Sequence, residues 1–111
     1  GFRSAQNTGT RTHNVVHFEH DQGAEAVVAA IDDLYGAFGC LQLCGTKGSA
    51  SAVFRDTFYA FKAQLMDFVK YLRTGVPPFP FSETEELMKM VIAGIWSRDQ
   101  GGRKVLLNEI S

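Results

Sequence analysis

The chain has 111 residues, a formal net charge of -1, 45% apolar residues and 21% charged residues. This length fits one domain with one modest core, and this composition excludes a disordered chain. The charge leaves no basic footprint for nucleic acid and no polybasic signal for anionic membranes, and no apolar run approaches the roughly 18 residues that span a bilayer.

Residues 1–13 are polar and rich in Ser, Thr, Asn and Gly, which predicts a flexible lead-in before a single domain over 14–111. Gly1 to Asn7 has no apolar core of a signal peptide, so a cytoplasmic location is expected. Asn14 to His20 contains Val15, Val16 and Phe18 and reads as a strand. Asp21-Gln22-Gly23 is a turn, with Gly23 free to take positive φ. Ala24 to Ile31 returns as a strand, although its alanines also suit a helix. Asp32-Asp33 ends that run. Tyr35, Phe38, Leu41 and Leu43 begin a third strand, bent at Gly36 and Gly39. Gly45-Thr46-Lys47-Gly48 is a hairpin loop by composition, and Ser49 to Phe54 is the return strand.

The first helix is predicted from about Phe58 to Arg73. Phe61, Leu65, Phe68, Val69 and Leu72 form one apolar stripe, expected to be core. Gly75 supplies a left-handed stop and Pro77-Pro78 bars continuation. The second helix is predicted from Ser82, with Ser82 and Glu85 as a capping box. Leu87, Met88, Val91, Ile92, Ile95 and Trp96 lie on its apolar side, Arg98 sits in its last turn, where a cation is favoured, and Gly101-Gly102 ends it. Lys104 to Ile110 is the closing strand. Four strands, two helices and one strand predict an α+β fold: a largely antiparallel open sheet of about five strands with two helices packed on one face.

Little chemistry stands out. His13 and His17 are four apart, a metal-binding spacing on a helix but about 13 Å along a strand. His20 faces away from His17, and Glu19 shares the face of His17 without converging on it, so ordinary surface histidines are the simpler reading. Gly45-Thr46-Lys47-Gly48-Ser49 glances at a phosphate loop but lacks the spacing and the following helix. Cys40 and Cys44 share a strand face about 13 Å apart, too far for a disulfide, and read as buried free thiols. Asp32 and Asp33 point to opposite sides of a strand and suit a solvated turn. Trp96, Met88 and Met90 could line a pocket, but core packing is the commoner role. No Gly-x-Gly-x-x-Gly follows a strand. No residue is therefore assigned a catalytic, cofactor-binding or metal role. Val16, Phe18, Val28, Ala30, Leu41 and Leu43 exceed what the helices of one open sheet can cover, which predicts a homodimer through the open sheet face.

The residues together resemble the C-terminal part of the Gfo/Idh/MocA family of NAD(P)-dependent oxidoreductases. Val15 to Ala24 is similar to a hairpin with a Gly turn in that family's sheet. Leu43-Cys44-Gly45-Thr46-Lys47-Gly48-Ser49 is similar to its strand, Gly-Thr-Lys-Gly turn and strand. Gln64 to Pro78 resembles its helix ending in Arg-Thr-Gly and a proline pair. Ala93 to Arg98 and Gly101 to Leu107 resemble its last helix and strand. The resemblance covers residues 15–110. It implies a domain that shapes a substrate pocket and mediates dimerisation, not catalytic alone, whose NAD or NADP would be held by a Rossmann domain missing from this chain. The family's Glu-Lys-Pro motif and its Gly-Gly…Asp…His helix are also missing, so no catalytic residue carries over. The alternative is a non-enzymatic α+β binding or assembly module that forms homodimers through its sheet.

Overall fold

A computed structural model of the chain describes residues 1–34 and 39–111; Tyr35, Gly36 and Phe38, expected to open the third strand, lie outside them. The described elements are β1 (Phe2–Asn7), β2 (His13–His20), β3 (Glu25–Ile31), β4 (Gly39–Gly45), β5 (Gly48–Phe54), α1 (Thr57–Thr74), α2 (Phe81–Asp99) and β6 (Val105–Leu106), followed by a 3-10 turn at Leu107–Glu109. The class is α+β with antiparallel pairing throughout. The strands divide between a four-stranded sheet, ordered β3-β2-β1-β6, and a two-stranded sheet, β4-β5, rather than forming one sheet.

A single domain was expected over 14–111. Residues 1–33 and 79–111 form one compact unit, and residues 34–78 form a second. The physical reason lies in β1. Residues 2–7, expected to be part of a flexible lead-in, are an interior strand paired with both β2 and β6. Ala5 is fully buried, and Ser4 and Asn7 nearly so. The polar residues that made this segment look mobile are satisfied by hydrogen bonds instead. Ser4 Oγ donates to Glu19, and the Asn7 amide N–H donates to Ser97 Oγ at 2.8 Å. The loop from β1 to β2 is tied by Thr8 N–H to Val15 C=O and by Thr10 N–H to His13 C=O.

In the first unit, α2 packs on β1, and the core gathers Ala5, Val16, Phe18, Ala93, Val105, Leu107 and Ile110. Phe2 meets Phe18 edge-on with ring centroids 6.1 Å apart, a favoured aromatic geometry. The β2–β3 turn closes as expected, with Gly23 at φ 84°. Helix α2 starts at Phe81 behind Pro80, and no side chain caps it. The predicted capping box is not formed because Ser82 falls inside the first turn, where its hydroxyl cannot take the N-cap role. Proline at the cap has the extended backbone and fixed φ suited to that place. The closing strand is shorter than predicted. Glu109 accepts the Leu106 N–H and pairs with Arg103, folding residues 107–109 into a turn that buries Ile110 with Leu107.

In the second unit, β4 and β5 form a hairpin from Gly39 opposite Phe54 to Gly45 opposite Gly48. Helix α1 is capped by the Asp56 side chain, which accepts the Tyr59 N–H at 2.8 Å. It ends at Gly75, φ 70°, whose N–H donates to Tyr71 C=O. The stripe Phe61, Leu65, Phe68, Val69 and Leu72 was expected to be core. All five are exposed, and α1 has no buried residue, because nothing else described in the second unit covers that face. Cys40 and Cys44 are exposed too, not buried thiols, for the same reason.

Candidate functional site

A concave feature with an apolar lining lies in the first unit, where α2 crosses the sheet beside β2 and β3. It encloses about 370 Å³, within the usual range for ligand sites. Its floor is the even-numbered side of the two strands: Val16 and Phe18 of β2, and Val28 and Ala30 of β3. Its wall is Leu87, Met90, Val91, Gly94 and Ile95 of α2. Val16, Phe18, Val28 and Ala30 were expected to be shared between a helix-covered and an open face. The register places all four on the α2 side, because Val16 pairs with Val28 and Asn14 with Ala30 and strand residues alternate sides. The opposite face carries His13, Val15, His17 and Glu19, with Val27, Ala29 and Ile31 across from them or beside them.

Helix and sheet approach closely at Gly94. A Cβ there would lie 3.4 and 3.6 Å from the Val16 methyl groups. The small residue thus sets the depth of the groove at that point. The turn after α2 fixes the helix against β1. Gly101 and Gly102 take φ of 76° and 81°, and Gly102 N–H returns to Ser97 C=O at 2.7 Å. Ser97 Oγ, fully buried, donates to Arg103 C=O at 2.6 Å, and Gln6 Nε2 donates to Gly102 C=O at 2.9 Å.

One end of the groove is polar. Asn7 Nδ2 donates to Asn14 Oδ1 at 2.9 Å and to Gly94 C=O at 3.2 Å, and its Oδ1 accepts the Gly9 N–H at 2.9 Å. Arg98 Nη1 reaches the same Asn14 oxygen at 3.3 Å, while its Nε donates to Asp99. The guanidinium stands in the last turn of α2, where the helix dipole favours a cation. Two of its roughly five N–H donors are engaged by these bonds. The groove therefore offers an apolar trough ending in a partly buried cation and two amides. It suits a ligand with an apolar body and an anionic or carbonyl end. It carries no carboxylate, histidine or thiol on its lining, so its residues can bind and orient but cannot move a proton.

The residues singled out in the sequence lie elsewhere. His13, His17 and His20 approach three different carboxylates, Asp33, Glu25 and Asp21, at 3.5, 3.5 and 3.0 Å. They do not converge, and no group of three metal-binding side chains exists among the described residues. Glu19 sits with Ser4 and Lys104, which together hold its carboxyl below the ordinary glutamate value, the Lys104 hydrogen bond contributing most. Met90 lines the groove, while Met88 and Trp96 do not. Thr46 and Lys47 are the two-residue turn of the β4–β5 hairpin, with no helix following directly. Among the described residues, no helix is long and apolar enough to cross a membrane. Asn7, Asn14 and Arg98 come together only through tertiary contacts; Arg98 in the last turn of a predicted helix was the one local signal. In comparisons with known proteins, no family model, no curated protein and no solved structure matches this chain.

Proposed function

We propose that this chain is the pocket-forming and assembly domain of an oxidoreductase of the Gfo/Idh/MocA type, inactive alone. A Rossmann domain of the same parent polypeptide would supply NAD or NADP. The observation that supports this reading is the groove itself: a ready binding wall with an apolar floor and the Asn7–Asn14–Arg98 end, but no group able to transfer a proton. A wall of that kind contributes binding energy and orientation, and the reacting groups must come from elsewhere. The test is to extend the reading frame upstream of Gly1. A strand, a Gly-x-Gly-x-x-Gly turn and a helix are expected there, and the extended protein should quench on titration with reduced nicotinamide cofactor while the present chain does not. In that extended enzyme Arg98→Ala should raise KM more than it lowers kcat, the signature of lost ground-state binding. An upstream frame without the fingerprint, or an extended protein that binds no cofactor, overturns the reading.

A second reading, a non-enzymatic module that self-associates through its sheet, is favoured by one specific feature. The β4–β5 hairpin turns Leu41, Leu43, Ala50, Ala52 and Phe54 to one side by its register. Leu43 and Phe54 remain 56% and 51% exposed. Contiguous exposed apolar surface of this sort marks interfaces.

A further inference from the structure

Strand β4 reads Gly39-Cys40-Leu41-Gln42-Leu43-Cys44-Gly45, the same in both directions. Its partner in the two-stranded sheet is β5, so its other edge has no strand beside it among the described residues. The turn between β4 and β5 is two residues long, which makes Gly45 and Gly48 the closing pair of the ladder. Alternation along an antiparallel strand then aims the backbone N–H and C=O of Cys40, Gln42 and Cys44 away from β5. Such an edge is a template for another strand unless charge, proline or a bulge blunts it. Strand β4 has no charged residue and no proline, and its pairing with β5 runs without a bulge.

We propose that two copies of this chain join edge to edge along β4, antiparallel, about a two-fold axis through Gln42. A palindromic strand paired with its own copy matches like with like: Gln42 meets the partner's Gln42, Leu41 meets the partner's Leu43, and Cys40 meets the partner's Cys44. The outward N–H and C=O groups at Cys40, Gln42 and Cys44 then bond across the axis. Leucines from both copies extend the exposed apolar side into one row. A two-stranded hairpin is marginal alone, and the pairing makes it a four-stranded sheet. Strand β5 is as uncharged as β4, but in its order Gly48-Ser49-Ala50-Ser51-Ala52-Val53-Phe54 only Ala50 and Ala52 match about the centre, while Ser49 would meet Val53 and Gly48 would meet Phe54. The palindrome therefore selects β4. The surface differs from the apolar face of the second reading above, because face packing would leave both pairs of cysteines on the outer sides of the assembly.

The geometry gives a direct test. Opposed residues of a hydrogen-bonded pair lie with Cα atoms about 5.5 Å apart, within disulfide range, and both cysteines are exposed. Diamide is the oxidant: two thiols lose two protons and two electrons, one S–S bond forms, and the diamide becomes a hydrazine. Cys40→Ser and Cys44→Ser variants are oxidised separately and as an equal mixture. The mixture is expected to give a covalent dimer through Cys40 and Cys44, and neither variant alone should do so. Gln42→Pro removes one outward N–H at the axis, leaves the bonds to β5 in place, and should abolish the cross-link. Equal cross-linking of a single variant with itself, or none in the mixture, overturns the proposal. Neither result bears on the cofactor experiment, so the two inferences fail independently.

Discussion

At the residue scale the chain is held by side chains that answer distant backbone groups. Asn7 shows this most fully: its amide closes a turn at Gly9, meets Asn14, and reaches Gly94 C=O on α2. Nothing in residues 1–13 announces that role, because its partner on α2 is 87 residues away. Glu19 is a second case, bound by Lys104 across the sheet and by Ser4 on β1. Its folded pKa is depressed, so by linkage it adds stability above the unfolded carboxyl's pKa, and that contribution is lost as pH falls through the folded value. Lys104→Ala should therefore raise the Glu19 titration midpoint toward the ordinary value, followed by carboxyl-carbon NMR. Glu109, lowered chiefly by Arg103, serves as the internal control and should not move. A Glu19 midpoint unchanged by the substitution would show that the pair does not form in solution. Fine positioning of this kind was illegible in the sequence, where Glu19 stood only as a neighbour of His17.

At the element scale, what was legible was what is local. The β2–β3 turn at Gly23, the stop of α1 at Gly75 and the stop of α2 at Gly101-Gly102 depend on glycine backbone freedom or turn chemistry within a few residues, and each is where the sequence puts it. Strand β1 was missed because its stability comes from being interior, not from β-branched residues. The apolar stripe of α1 shows the opposite failure: period 3.6 reports which residues would share a face, and says nothing about what that face touches. Two truncations separate these cases. Phe18→Ala removes a ring that is 6% exposed and should cost about 3–5 kcal/mol in chemical denaturation. Phe68→Ala removes one that is 52% exposed and should stay within about 0.5 kcal/mol. A large cost at Phe68 would mean that the α1 stripe is covered in solution, and the self-association reading would gain its first energetic support.

At the scale of the whole molecule, the first unit is discontinuous: it is closed by residues from both ends of the chain. Strand β1 is held between β2, which follows it directly, and β6, about a hundred residues later. Its core draws on Ala5, Val16 and Phe18 from one end and on Ala93, Val105, Leu107 and Ile110 from the other. The groove is built the same way, with Asn7, Asn14, Val16 and Val28 before the interruption and Leu87, Gly94 and Arg98 after it. Among the described residues, neither Leu34 nor any of 39–78 belongs to that core or to the groove lining. An interruption of this length adds little to the closure cost of the chain, since loop entropy grows only with the logarithm of length. The first unit should therefore fold without it. Replacing residues 35–78 by a flexible Gly/Ser linker is expected to leave a single cooperative unfolding transition, with slow amide exchange retained at Ala5 and Phe18. The apolar groove should keep its affinity for a hydrophobic dye, because every lining residue remains. A shortened chain that loses cooperativity and exchange protection would show that residues 34–78 stabilise the first unit directly, and that the two units unfold as one.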